Sequence, residues 1–95
     1  MVVSMIQLLF EIPEATSIKE KRRIMRSVKD KLQQRFRMSA AEVDLMDSIS
    51  YGQIGGALVS NSKTFGESIM YKAFEMIEKE IPVRIHDMSI YSEEF

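Results

Sequence analysis

The chain has 95 residues, of which 45% are hydrophobic and 28% charged, with no cysteine and a net charge of −1. That length suits one domain, 1–95, able to bury a core without metal or disulfide staples, and the composition is that of a folded chain, not a disordered one. The missing cysteines exclude disulfide frameworks, thiolate zinc sites, cysteine nucleophiles and iron–sulfur clusters, and no apolar run reaches the roughly 18 residues of a membrane span.

Residues 2–12 (VVSMIQLLFEI) are rich in β-branched and aromatic types and stop at Pro13, which predicts a first strand. Its even positions (Val2, Ile6, Leu8, Phe10, Ile12) are apolar apart from Ser4, whereas Val3, Met5 and Leu9 share the odd positions with Gln7 and Glu11. A central strand with a partly apolar second face is expected. This apolar start has no basic leader and no small-residue cleavage site, so it reads as a strand and not a signal peptide, and a cytoplasmic protein is expected.

Ser17 is a plausible N-cap with Glu20 three residues on, and Ile18, Met25, Val28, Leu32 and Phe36 recur at helical spacing, predicting a helix over 17–35. Segments 38–46 and 50–60 read as two strands of a hairpin turning near Asp47 and Ser48. Gly55 and Gly56 within the second predict a bulge or a close backbone approach. Asn61 or Ser62 then caps a helix over 63–80 with Phe65, Ile69, Ala73, Met76 and Ile77 on its apolar side, and Pro82 ends it. A last strand, Val83 to Tyr91, changes phase near His86 and Asp87, the mark of a bulge. Of the eight methionines, most, Met5, Met25 and Met76 among them, fall at expected core positions and fill gaps there.

The order β-α-β-β-α-β is that of the ferredoxin-like split βαβ: an antiparallel sheet with both helices on one face. Many activities share this architecture, so function has to be argued from sites. Acylphosphatase-like enzymes place a glycine-rich, arginine-bearing loop after the first strand. Here that loop is Pro13-Glu14-Ala15-Thr16, with an acid and no glycine, and this enzyme is only a minor alternative. RNA-recognition modules carry stacking aromatics on the third strand. This one offers only Tyr51, which reads as a packing residue. Glu42, Asp44 and Asp47 fall within six residues, but alternation puts Glu42 and Asp44 on one face of a strand, where a solvated edge is the ordinary explanation. His86, the one histidine, stands beside Asp87, yet neighbours along a strand point to opposite faces and no nucleophile accompanies them. No metal, cofactor or small-molecule ligand is expected, and the chain is not expected to be an enzyme.

Charge is distributed unevenly. Residues 17–37 hold nine Lys and Arg against Glu20 and Asp30, a local +7 that leaves −8 for the remainder. With Met25 at the centre of the buried stripe, Lys19, Arg23 and Arg26 lie outward, Arg22 and Lys29 flank one border, and Lys31 and Arg35 flank the other. Lys21 falls at the inner edge, its stem snorkelling past the core. Lys19, Arg22, Arg23, Arg26 and Lys29 are thus the candidate RNA or anion contacts, suited to phosphates and not to base edges. On the opposite side, Val3, Met5, Leu9, Ala57 and Val59 form a candidate oligomer face.

The run Ile12-Pro13-Glu14-Ala15, then Ser17-Ile18-Lys19-Glu20-Lys21-Arg22-Arg23, Arg35-Phe36, Ala41-Glu42-Val43-Asp44 and Val59-Ser60-Asn61, resembles the bacterial YlxP-like proteins over almost the whole chain. Membership implies a ferredoxin-like fold, no established enzymatic activity and a frequent setting among genes for translation initiation and ribosome maturation. Lys19, Lys21, Arg22, Glu42 and Asp44 would be family-typical polar positions. Relatives often carry Leu-Trp after the acidic strand, where this chain has Ser48-Ile49. The expected function is non-enzymatic binding of structured RNA or a ribosomal particle through the first helix; the alternative is a homodimeric interaction module using the open sheet face.

Overall fold

Alternation at the start of the chain becomes β1 (Val2–Glu11), whose side chains at Val2, Ser4, Ile6, Leu8 and Phe10 are buried on one face. The computed structural model describes residues 1–95 and continues through α1 (Ile18–Phe36), β2 (Ser39–Asp44), β3 (Tyr51–Ser60), α2 (Lys63–Glu80) and β4 (Arg84–Glu94). All strand pairs are antiparallel in the order β2-β3-β1-β4, so β1 is internal as its two-sided apolar pattern requires. Both helices cover the even face of β1. Met25, Val28 and Leu32 of α1 join Met70, Ala73, Met76 and Ile77 of α2 over Ile6, Leu8, Phe10 and Ile54 in one core. This is the expected split βαβ arrangement. Neither helix is long and apolar enough to cross a membrane.

Local chemistry sets the element ends. Ser17 accepts from the Glu20 N–H and Ser62 from the Phe65 N–H, each satisfying an orphan donor of a first turn. α1 stops where Arg37 turns left-handed (φ 57°) and returns its N–H to Gln33 and Leu32. β4 runs three residues beyond Tyr91, because Ser92, Glu93 and Glu94 keep their register with β1.

The β4 bulge is real and sits at His86: Leu9 pairs with Asp87 and Phe10 with Ile85, leaving His86 without a counterpart. The bulge expected at Gly55 and Gly56 is not there. Those residues pair regularly with Gln7 and Ile6, and the irregularity lies instead at Val43 of β2. What comes nearest the glycines is side chain, ahead of any backbone atom: a Cβ on Gly56 would come 2.8 Å from Met38 Sδ, and one on Gly55 3.2 Å from Val43 Cγ1.

Two apolar positions depart from expectation. Phe65 is 55% exposed, since the buried stripe of α2 starts at Gly66 and passes through Met70. Gly66 is needed there because a Cβ would overlap Ser4 Oγ, which makes a buried 2.7 Å hydrogen bond with Ser92 Oγ on the adjoining strand. Met5 is not in the core but half-buried on the sheet face away from the helices.

The helices are tied at one end. Arg35 Nη1 donates at 2.8 Å to both carboxylate oxygens of Glu80, and Lys31 Nζ stands 3.5 Å away. The Arg35 hydrogen bonds, followed by the charges of Arg35 and Lys31, hold the Glu80 carboxyl below the usual carboxylate range. A carboxyl depressed in the folded state adds stability above its unfolded pKa, and that contribution is lost as pH falls through the lower, folded value. Glu80→Gln should therefore lower the urea midpoint near neutrality, and the gap from the parent should close as pH drops below about 4.5, the ordinary glutamate value. Paired urea titrations from about pH 7 to about pH 3 check this.

Candidate nucleic-acid interface

The cations of α1 divide by what they touch. Lys21 opens the buried stripe that continues through Met25, Val28 and Leu32, and only 1% of it is accessible. Its stem does not reach solvent as a snorkelling lysine would. The ammonium ends inside, donating to the Leu45 carbonyl oxygen at 2.5 Å and lying 3.0 Å from Glu42 Oε2. That carboxylate oxygen is buried and accepts no well-directed hydrogen bond, so the neighbouring ammonium is its compensation.

The same contact shapes the β2–β3 turn. Leu45 is left-handed (φ 62°), its N–H taken by Asp44 Oδ1 at 2.8 Å and its carbonyl also accepting from the Ser48 N–H at 3.1 Å. Glu42 and Asp44 are therefore not a solvated pair on one strand face. The Val43 bulge breaks their alternation, one carboxylate being engaged under α1 and the other in the turn. Nowhere do three or more His, Asp or Glu side chains converge as a metal site would require.

Lys31 and Arg35 are occupied by Glu80. The five predicted contacts are different: Lys19, Arg22, Arg23, Arg26 and Lys29 take part in no ion pair. Of the two acids in the segment, Glu20 turns back to Thr16, accepting from its N–H and its hydroxyl at 3.1 Å each, and Asp30 pairs with nothing. One shallow depression is lined by Ile18, Lys19, Glu20, Arg22, Arg23 and Arg26. A second, between α1 and β2, is lined by Arg22, Met25, Arg26, Lys29 and Glu42. Neither contains an aromatic side chain. The five cations also meet one another at three- and four-residue spacing (19–22, 19–23, 22–26, 23–26, 26–29), and each such like-charge pair costs a helix about 0.2–0.5 kcal/mol.

In the loop after β1 two amides are already engaged within the chain. Its Ala15 N–H goes to the Ile12 carbonyl and its Thr16 N–H to Glu20.

On the far side of the sheet the expected apolar group assembles in register, Val3 opposite Val59 and Met5 opposite Ala57, with Leu9 further along β1. Tyr91, paired with Met5 from β4 and 55% exposed, extends it. At the end of the same face lies a cluster that sequence reading missed: Glu11 Oε1 is 3.1 Å from His86 Nε2 and 3.6 Å from Arg84 Nη1, and the Tyr51 ring stands edge-on to His86 at 5.8 Å. The His86 bulge was visible in sequence, but its partners come from two other strands.

A family model described as "Protein of unknown function (DUF503)" matches residues 3–90. No curated protein matches. Among solved structures, the structural-genomics protein YJCS superposes with a TM-score of 0.62 at 9% identity, covering 97% of this chain and 99% of that one. A dimeric protein of unknown function and ferredoxin-like fold from Bacteroides fragilis NCTC 9343 superposes at 0.51 with 12% identity, covering 99% and 96%. These likenesses identify the fold as ferredoxin-like.

Lys21→Met should cost about 1–3 kcal/mol, because it strands the buried Glu42 carboxylate oxygen and leaves the Leu45 carbonyl only its Ser48 N–H, while Glu42 keeps some access to water. Lys21→Met combined with Glu42→Leu should cost less than the two single changes added together, with a coupling of at least ~0.5 kcal/mol in urea unfolding.

Proposed function

Taking as premise that the chain belongs to the DUF503 family, we propose that it is a non-enzymatic cytoplasmic protein that binds structured RNA, free or within a ribosomal particle, through the outer face of α1. One observation carries this reading. Lys19, Arg22, Arg23, Arg26 and Lys29 have no intramolecular acid, whereas Lys21, Lys31 and Arg35 of the same helix each have one. Five like charges in one row repel each other and attract a polyanion, and the −8 carried by the rest of the chain does not neutralise them locally. Contacts of this type hold phosphates and fix position without reading bases. Within the family the chain reads as YlxP-like, on the run from Ser17 to Arg23 and the strand from Ala41 to Asp44. The genomic setting implied by that resemblance favours RNA over other polyanions. A binding role in place of an acylphosphatase-like one is supported by the Ala15 and Thr16 amides after β1, which are engaged within the chain.

A second reading uses the opposite surface. The open sheet face joins Val3, Met5, Leu9, Ala57 and Val59 to Tyr91, with Val59 64% exposed. An apolar face of this kind suits a partner, and the Bacteroides fragilis protein of similar fold is dimeric. A homodimer through this face leaves both copies of α1 free, so the two readings are compatible.

Reversing four charges together (Lys19→Glu, Arg22→Glu, Arg23→Glu, Arg26→Glu) should remove the protein from ribosomal particles sedimented at low salt while leaving its helical circular dichroism intact. For the parent, five phosphate contacts predict an affinity loss of about 500-fold between 50 and 200 mM salt. Unchanged co-sedimentation of the reversed variant would refute the RNA reading. Light scattering at micromolar concentration should give twice the chain mass for the parent and the single mass for Val59→Glu with Tyr91→Glu; a monomeric parent removes the dimer.

A further inference from the structure

Which form of nucleic acid the α1 surface takes also follows from its composition and rigidity, an inference that rests on the RNA reading above. Single strands are held by a basic groove interleaved with aromatic rings on which bases stack. The basic surface here has the first ingredient and lacks the second. Its two depressions are lined by cations, two carboxylates, Ile18 and Met25, with no ring. The chain's exposed aromatics lie elsewhere: Tyr51 and Tyr91 on strands β3 and β4, Phe65 and Tyr71 on α2, and Phe95 beyond β4.

The row is also stiff. α1 is fixed from below by Met25, Val28 and Leu32, near its start by the Lys21 contacts to Glu42 and Leu45, and near its end by Arg35 on Glu80. Lys19 to Lys29 therefore spans ten residues of regular helix, about 15 Å. Over that distance a B-form duplex presents about nine phosphates, and any duplex holds them in a far more regular array than a flexible strand does. Glu20 lines the first depression, but its carboxylate accepts from the Thr16 N–H and hydroxyl and forms no ion pair with a cation of the row.

We propose that Lys19, Arg22, Arg23, Arg26 and Lys29 form a sequence-independent binding surface for the phosphate backbone of double-helical RNA. The geometry of a paired stem supplies the recognition, and unpaired bases add nothing to it.

Fluorescence anisotropy with the full chain tests this, using a labelled 20-base-pair RNA duplex, one strand of it alone, and the DNA duplex of the same sequence. The RNA duplex should bind at least tenfold more tightly than the single strand. Its log-affinity against log-salt slope should be near −4.5 for five contacts, with about 0.9 lost on Arg26→Gln. A second duplex of unrelated sequence should bind equally. Single-strand binding as tight as duplex binding overturns this inference and leaves the RNA reading standing, while no binding of either RNA at low salt overturns both. A DNA duplex bound like the RNA duplex supports recognition of the paired backbone; a slope unchanged by Arg26→Gln, with the duplex still bound, removes the assigned surface.

Discussion

An ammonium group in a packed interior needs compensating charge or hydrogen bonds, and much of this molecule's arrangement around α1 answers that need for Lys21. The lysine stands where a helix of this pattern would ordinarily place an apolar residue, in line with Met25, Val28 and Leu32. Its demand is met by a carbonyl in a left-handed turn and a carboxylate on an edge strand. Both belong to the β2–β3 hairpin, so one buried charge fixes the rotation of α1 and the shape of the hairpin loop together. The outward row is aimed by what the inward lysine holds. A leucine in its place would release this restraint on the hairpin and leave the Glu42 oxygen without its compensating charge.

Much of the fold could be read from residue patterns because it is set locally. Ser17 and Ser62 cap the helices, Pro13 and Pro82 close their segments, and the phase change at His86 announced its bulge. The inner placement of Lys21 followed from helical periodicity alone. Where reading failed, a distant neighbour decided the outcome. Phe65 fits the helical period as well as its neighbours do, but the stripe shifts to Gly66 because Ser4 of β1 leaves no room for a side chain. Gly55 and Gly56 looked like a break in their own strand. They are instead spaces for Met38 and Val43 arriving from the preceding segment.

Ion pairing was the least legible feature, for the same reason. The acids within the basic segment, Glu20 and Asp30, pair with none of its cations, whereas Glu42 and Glu80 pair with three of them across separations no local pattern encodes. The candidate site emerges by subtraction. Once the cations with structural partners are set aside, those remaining on the helix form a single row. The group around Glu11, Tyr51, Arg84 and His86 was illegible on similar grounds, since it brings together three strands and a bulge.

The outer row of α1 has a further property, visible in what it does not do. Its five side chains join no ion pair, and at three- and four-residue spacing they strain the helix that carries them. The fold draws no ion pair from their charges. Mutational drift under selection for stability alone would replace Arg22 or Arg26 with an uncharged residue at no cost, and a library sorted only for heat resistance would drain the row of charge within a few substitutions. The packed stripe and the charged row thus lie on opposite sides of one helix, so a change of charge on one leaves the packing of the other in place.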